Sequence, residues 1–529
     1  MGDAREDADA RALRTWMLER GARFFDDPGT AVRGDARRGR RVEAAGRGRA
    51  GGTLCVVPRT CCLTTATSAL RSARGRGGWR AFDALEEVGL VGAVAHERRL
   101  GERSAFAPYL RTLPARETLP GCGGVDGVAS EALIGTSVGY VLEEDRRLMK
   151  EDHERLLEWY SSCEDAEPPT FDEFLQAASL VASRAFFIGH DVGQGMVPFA
   201  DLFNHRGFGQ SHIGVRGCRL ADAEQDVKDV DADGADEDED EEQDAVRIFL
   251  VRDIESGEEL FNTFGDYHDN AALYVKYGFV ERDGSVAFCY FHRTFWTGLL
   301  EEPEFHDMRL MAQLVDFCDE TYEGLDYTIA ADGTLSPGLL AILRTATMLL
   351  SDDEGLSYNL CKDREPMWEE DLVGQIEESI ETTMQGTNES DEYLQGVDWQ
   401  LFVDLIKLRF LTFFSDEQLE SVENLREDDG SGIIRTCAAE IQRTTDALDA
   451  LVATSTEEPA PGMGFTGTAA ELLIRSHELG ILITALLRGA DVQGEDNDEE
   501  GEEESQRKRA KVMNITPRYG PTVYIKPKE

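Results

Sequence analysis

The chain has 529 residues, 41% of them hydrophobic, and carries 103 acidic against 54 basic side chains for a formal charge of −49. That length implies two or three domains, and the apolar fraction suffices to build their cores, so general disorder is excluded. The acidic field argues against nucleic acid and anionic membranes as partners and favours encounter with basic proteins, although solvated tails can account for much of the charge.

The start, "MGDAREDADARALRTW", is acidic and has no apolar core, so no secretory signal is expected. Glu6 stands where a myristoylation signal needs Ser or Thr. No stretch has the length and apolarity of a membrane span. A short amphipathic helix is predicted around residues 10–25, with Leu13, Trp16, Met17 and Phe24 on or near one face. The Arg- and Gly-rich run "RGDARRGRRVEAAGRGRAGG" follows. It leads into "TLCVVPRTCCLTT", which reads as a strand ending at Pro58. Residues from about 80 to 190 read as mainly helical; in "FDEFLQAASLVASRAFF", Phe171, Phe174, Ala178 and Val181 fall at helical spacing.

Next comes "GMVPFADLFNHRG" (195–207), an apolar run cut by Asp201 and ended by Asn204 and His205. An acidic low-complexity insert, "DVKDVDADGADEDEDEEQDA" (226–245), cannot bury enough apolar surface to fold alone and is expected as a surface loop spanning about 222–245. A strand-like "VRIFLVRDI" precedes "SGEELFNTFGDYHDNAALYVKYGFVE" (256–281). From about 305 the pattern is helical. Met308, Met311, Val315 and Cys318 share a face, as do Leu401, Leu405 and Leu408, and Ile441, Leu448 and Val452. The last strong segment is "ELLIRSHELGILITALLRG", and the tail begins "EDNDEEGEEES" before changing sign at "QRKRAK" (506–511). That basic run fits a nuclear import signal or a charge-balanced linker.

Several chemistries lack support. "GRGRAGG" has no Walker Lys-Ser/Thr, and no G-x-S-x-G elbow is present. The ten Cys are scattered apart from Cys61-Cys62, with no C-x-x-C pair, which argues against a structural zinc site or a disulfide framework and for reduced thiols in a nuclear or cytoplasmic protein. No metal ligand set is assigned. Taken singly, the polar residues of the two unusual stretches have ordinary explanations. Asn204-His205 can satisfy a buried turn, Asp201 can cap one, Arg184 can form a salt bridge, and Tyr277 can be a core aromatic.

Their order is more informative than any one of them. A Gly/Arg loop before a strand is followed by Ser183-Arg184, Asp201, Asn204-His205, Gly257-Glu258-Glu259-Leu260 and Tyr277-Gly278-Phe279. Together with "GERSAFAPYLRTLP" (101–114), this set resembles the SET-domain protein methyltransferases, in the branch typified by the Rubisco large-subunit lysine methyltransferase and its ribosomal and nuclear relatives. The absence of a C-x-C cluster near the end fits that branch. The resemblance covers about residues 10–490 and implies an α+β chain. A SET-domain β-fold with a pseudoknot would occupy 1–300, interrupted by a helical insertion at about 75–185. An all-α substrate-binding domain would follow at 301–490, then an acidic/basic tail at 491–529. In the pseudoknot the two unusual stretches cross, which would account for so hydrophobic a segment ending in Asn-His.

The resemblance also implies S-adenosylmethionine as cofactor, held by Arg38, Gly39, Arg40, Arg184, Asn204 and His205. It implies a lysine of a protein substrate, a basic one such as a ribosomal protein or histone, met by Arg184, Asp201 and Tyr277. Tyr277 matches the catalytic tyrosine, and a monomer is expected. Three departures stand out. Arg41 replaces the second Gly of a Gly-x-Gly loop, which would be costly if that position needs positive φ. Phe264 stands where relatives often carry Tyr, and the acidic insert is additional. Two other readings stay open. One is a histidine methyltransferase of the same fold, disfavoured because its subgroup lacks a Tyr at the position of Tyr277. The other is a non-catalytic SET-fold module that binds a basic protein.

Overall fold

The computed structural model describes residues 7–35, 39–72, 82, 84–115, 119–122, 131–163, 166–189, 192–207, 209–219, 244–265, 268–281, 288–301, 306–322, 324–351, 370–386, 394–414, 431–454 and 465–495. Helix α1 (Ala8–Glu19) is capped by the Asp7 carboxylate, which accepts from the Ala10 N–H, and buries Leu13, Trp16 and Met17. The helix stops before Gly21, whose φ of 91° is left-handed. Phe24 therefore lies outside it, in β1 (Arg23–Phe24), with its ring edge-on to Phe199 at 5.1 Å.

Strands β2 (Thr30–Asp35) and β3 (Gly39–Ala44) pair antiparallel, with Asp35 opposite Gly39 and Thr30 opposite Ala44. Arg41 sits in extended backbone there, opposite Arg33, and positive φ is not required of it. Glu43 lies between the two arginines, accepting from Arg41 Nε at 2.7 Å and from Arg33 Nε at 3.4 Å, which offsets their repulsion.

The expected strand is β4 (Thr53–Pro58), buried at every position. The insertion is helical: α2 (Glu87–Leu100), α3 (Ala107–Leu110), α4 (Ser137–Tyr160) and α5 (Phe171–Arg184). Thr170 and Glu173 form a reciprocal capping box at the start of α5, and Phe174, Ala178 and Val181 are buried along it. The short strands β5 (Ala185–Phe187), β6 (Gln194–Met196) and β7 (Asn204–His205) follow, then β8 (Ile213–Cys218), β9 (Ala245–Leu250) and β10 (Glu259–Asn262). One sheet has the order β1-β4-β9-β8 and another β2-β3-β10-β7. Strand β10 is antiparallel to β3 and parallel to β7, with Phe261 opposite Asn204 and Asn262 opposite His205. The two stretches singled out in the sequence are thus direct neighbours. Nearly all of the acidic insert lies outside the described residues.

Helix α6 (Asn270–Tyr277) and strand β11 (Phe279–Val280) complete the first half. The chain continues through β12 (Phe288–Tyr290), α7 (Arg293–Glu301), α8 (His306–Thr321), β13 (Thr328–Ala330), α9 (Pro337–Leu350), α10 (Glu370–Gly386), α11 (Trp399–Leu411), α12 (Ser431–Thr454), β14 (Phe465–Thr466) and α13 (Gly467–Glu495). The periodic faces read from the sequence are largely core: Met308, Met311, Val315, Cys318, Leu401, Leu405, Ile441 and Leu448 are all buried. The helices are joined by two short strand pairs. β13 pairs with β12, and β14 reaches back to β11. One core runs from Ala10 to Leu260 and a second from Cys289 to Leu487, while a third, smaller cluster joins Leu133, Tyr274 and Val280 to Leu448, Phe465 and Leu473.

The junction also contains buried charge. Arg409 on α11 donates from Nη2 to Glu478 Oε2 on α13 at 3.0 Å and from Nε to the Tyr290 carbonyl at 3.1 Å. Glu478 in turn accepts from the Ser137 N–H, at 2.9 and 3.0 Å to its two oxygens. Both side chains are almost wholly removed from solvent, so each depends on the other for its solvation.

Candidate functional site

A cavity of about 410 Å³ opens between α5, β7, β10 and α6. Its size suits a small organic ligand or a side chain rather than an ion. Phe186, Phe203, Phe264 and Phe279 supply apolar wall, while Arg184, Gln194, Asp201, Asn204, Asn262 and Tyr277 supply polar groups.

Local structure places each of these side chains. Arg184 is the last residue of α5, so the helix delivers it to the cavity rim. Phe199 has φ of 75°, a conformation costly for a bulky residue, and its buried ring packs edge-on to Phe203 at 5.4 Å. That bend turns the apolar run into a short 3-10 turn, Ala200–Leu202, which carries Asp201 into the protein. Tyr277 is the last residue of α6, whose end is fixed by Gly278 at φ 76° and whose start is capped by Asp269.

Asp201 is only 8% exposed. Its Oδ2 accepts from the Tyr109 hydroxyl at 2.9 Å, and Arg184 Nη1 donates to its backbone carbonyl at 3.2 Å. Its Oδ1 is buried with no hydrogen-bond partner among the described residues. Burial pushes the carboxyl pKa up to about 6, against the opposing pull of Arg184 and the Tyr109 hydroxyl. A buried carboxylate oxygen that lines a cavity and lacks a donor is suited to an N–H group of a ligand.

A second set of contacts connects His205 to Tyr277. The Tyr277 hydroxyl donates to the Phe264 carbonyl at 3.0 Å, with the two rings 4.7 Å apart. The Phe264 N–H donates to His205 Nδ1 at 3.0 Å. Because Nδ1 accepts, the neutral imidazole carries its proton on Nε2, which faces Glu281 Oε1 at 3.5 Å. Burial raises the Tyr277 pKa, so the phenol stays protonated and serves as a donor, not a base.

Four of the residues expected from the sequence line the cavity: Arg184, Asp201, Asn204 and Tyr277. His205 is packed behind it, stacked on Phe264 at 5.0 Å. Asn204 Nδ2 donates to Glu259 Oε1 at 2.9 Å and to the Arg40 carbonyl at 3.3 Å. The Arg40 guanidinium itself is held elsewhere, by Asp7 and Asp9 at 3.1 Å each and by the Thr112 carbonyl at 2.8 Å. Gly39 opens β3 opposite Asp35, and Arg38 lies outside the described residues. Sequence reasoning missed Tyr109, although it sits in the quoted "PYL" segment. The available signal was a tyrosine hydroxyl in an apolar context needing a buried acceptor. It also missed the Phe264 carbonyl and Glu281, a backbone atom and a side chain that no residue pattern advertises.

No protein-family model matches the chain. An uncharacterized protein of Schizosaccharomyces pombe is 25% identical over 206 residues, 38% of this chain and 39% of its own length. Ribosomal lysine N-methyltransferase 4 of Saccharomyces cerevisiae is 25% identical over 269 residues, 47% of this chain and 50% of its own length. The chain thus spans half or less of the curated relatives it matches. Among solved structures, the SET domain of LSMT bound to lysine and AdoHcy aligns with a TM-score of 0.56 at 15% identity, over 96% of this chain and 93% of that one. Rubisco LSMT bound to AdoMet aligns at 0.52 and 14% identity, over 95% and 94%. The mixed helix-and-sheet fold is that of these SET-domain structures along nearly the whole chain.

Proposed function

We propose that this protein transfers a methyl group from S-adenosylmethionine to the side-chain amine of lysine in a protein substrate. The observation that carries the reading is the convergence of Arg184, Asp201, Asn204 and Tyr277 on one cavity in a SET fold. Relatives and structural neighbours support it by what their names state: a ribosomal lysine N-methyltransferase, and SET-domain structures holding lysine or AdoMet.

The residues present fit the cofactor. Arg184 offers a guanidinium to its carboxylate, and Asn204, Asn262 and Gln194 offer amides to its other polar edges. Aromatic walls suit its adenine and sulfonium. When bound, it supplies an electrophilic methyl group on a positively charged sulfur. The protein's part is position and electrostatics. Phe203, Phe264 and Phe279 give the cavity an apolar wall that would desolvate an entering lysine, lowering its pKa and favouring the neutral amine that can attack. The cavity would hold that amine in line with the methyl group the bound cofactor supplies, and the proton the amine gives up would leave to solvent. The Phe264 carbonyl, fixed by Tyr277, and the Tyr277 oxygen would be the acceptors that orient a bound methyl group through weak C–H···O contacts. The free Asp201 oxygen takes an N–H of the substrate.

The residues up to about 300 would form the catalytic unit, 301–490 the substrate-binding unit, and 491–529 a tail. A net charge of −49 supports a basic substrate, such as a ribosomal protein or a histone, in the nucleus or cytoplasm. No helix among the described residues is long and apolar enough to cross a membrane.

The test is transfer of labelled methyl groups from S-adenosylmethionine into a lysine-rich protein extract. Label recovered as methyl-lysine is the expected result. Absence of transfer together with absence of cofactor binding by calorimetry would overturn the proposal and leave a non-catalytic module. The same calorimetry checks Arg40. Since its guanidinium is engaged by Asp7, Asp9 and Thr112, Arg40→Met should change the cofactor Kd less than about threefold. It should lower stability by about 1 kcal/mol, the usual value of a partly exposed ion pair.

A further inference from the structure

The segment that carries Tyr277 is held from outside by the second half of the chain. Strand β14 pairs with β11, placing Thr466 opposite Phe279 and Phe465 opposite Val280, immediately after Tyr277 and Gly278. Five residues beyond Thr466, on the first turns of α13, Glu471 Oε1 accepts from the Tyr274 hydroxyl at 2.7 Å. Tyr274 is 2% exposed and Glu471 5%. Tyr274 precedes Tyr277 by three positions on α6, so the two residues are neighbours on one helical surface. Leu473 and Ile474 pack in the same small cluster as Tyr274 and Val280. Farther along α13, Arg475 Nη1 donates to the Ile134 carbonyl at 2.9 Å and Glu478 takes the Ser137 N–H. One helix of the second half therefore grips both the helical insertion and the helix that ends in Tyr277.

We infer that the Tyr274–Glu471 hydrogen bond is a positioning contact through which the second half of the chain sets the place of Tyr277. The inference rests on the proposed role of Tyr277 beside the reacting methyl. The β14–β11 pairing fixes the segment along its length, and the hydroxyl-to-carboxylate bond fixes α6 against rotation about its axis. A tilt of α6 would move the Tyr277 hydroxyl off the Phe264 carbonyl, because that bond spans only 3.0 Å. Anything that shifts α13, including a protein docked on the helical half, would then be felt at the methyl-transfer geometry rather than at cofactor affinity.

The experiment combines kinetics with hydrogen exchange on the full chain. Tyr274→Phe and Glu471→Ala should each lower kcat about tenfold, as expected for loss of a buried charge-assisted hydrogen bond, with KM for S-adenosylmethionine unchanged. Glu471→Gln keeps an acceptor and should stay within about threefold of the parent. In a Tyr277→Phe background the Tyr274→Phe change should cost nothing further, because both act through one group. An undiminished tenfold loss in that background would overturn the inference, as would a loss expressed in KM. Amide exchange of residues 270–280 should quicken about tenfold in Tyr274→Phe and Glu471→Ala while β4 and β9 keep their protection. Unchanged exchange would also overturn it. The exchange result stands even if the parent protein transfers no methyl group, so failure of the catalytic reading and failure of this one are separable.

Discussion

Tyr277→Phe should lower methyl transfer about 100- to 1,000-fold while changing the S-adenosylmethionine Kd less than about threefold. The hydroxyl makes a 3.0 Å bond to the Phe264 carbonyl and lines the cavity, so its removal frees the carbonyl to move and takes an oxygen from the methyl's surroundings. Ring packing is preserved, since Phe retains the 4.7 Å contact with Phe264. The loss should therefore appear in kcat, with stability lowered by only about 1 kcal/mol for the missing hydrogen bond. Its pH profile is informative too. Burial raises the Tyr277 pKa above that of an ordinary phenol, so the hydroxyl is protonated across the working range. The remaining activity of Tyr277→Phe should accordingly show the same pH dependence as the parent. A mutant that kept full kcat, or whose loss lay in cofactor binding, would remove Tyr277 from the reaction.

Part of the candidate site was legible in the sequence where a polar residue ends or interrupts an apolar pattern. Arg184 closes a helix with clear apolar periodicity, whereas Tyr277, whose helix carries no such periodicity, stood out only by its place in the ordered set of motifs; Asp201 and Asn204 interrupt a hydrophobic run too polar to be bare core. Such interruptions are conspicuous because buried polar groups need partners. Arg40 shows the limit. Its place in the Gly/Arg loop pointed to the cofactor, but alternation along β3 and the nearby carboxylates of Asp7 and Asp9 decide where the guanidinium goes. Those carboxylates belong to the start of α1, and nothing in local spacing ties them to residue 40. Arg41 raised concern as a substitute for Gly and proved to be an extended strand residue neutralised by Glu43. The helical second half was readable as an alternation of buried faces. Its two short strands were not, because two- and three-residue pairings such as Phe465–Thr466 with Phe279–Val280 carry no periodic signal.

Asp201→Asn should separate stability from activity, with opposite signs at neutral pH. Burial, the main cause, pushes the folded carboxyl up to about 6 from its ordinary 3.8. A raised pKa means that the folded state prefers the protonated acid. The stabilisation this gives is complete below pH ~3.8 and is lost as pH rises through about 6. At pH 8 the protein bears a buried ionised carboxylate whose Oδ1 lacks a partner, a penalty of order 2 kcal/mol once relaxation is allowed for. Asn removes the charge and keeps an acceptor for the Tyr109 hydroxyl. The mutant should therefore be more stable than the parent at pH 8 by about 1–2 kcal/mol and no more stable at pH 4, as read by urea denaturation at the two pH values. Transfer should move the other way. Without an ionised oxygen to take a substrate N–H, kcat/KM at pH 8 should fall about 100-fold. In the parent, kcat/KM should rise through pH 6 as Asp201 ionises, and that limb should be missing in the mutant. A buried charge that costs stability in this way is consistent with a group that meets a ligand, where function and stability pull in opposite directions. If Asp201→Asn were equally stable at both pH values, or fully active at pH 8, the carboxylate would have to be assigned to the Tyr109 contact alone.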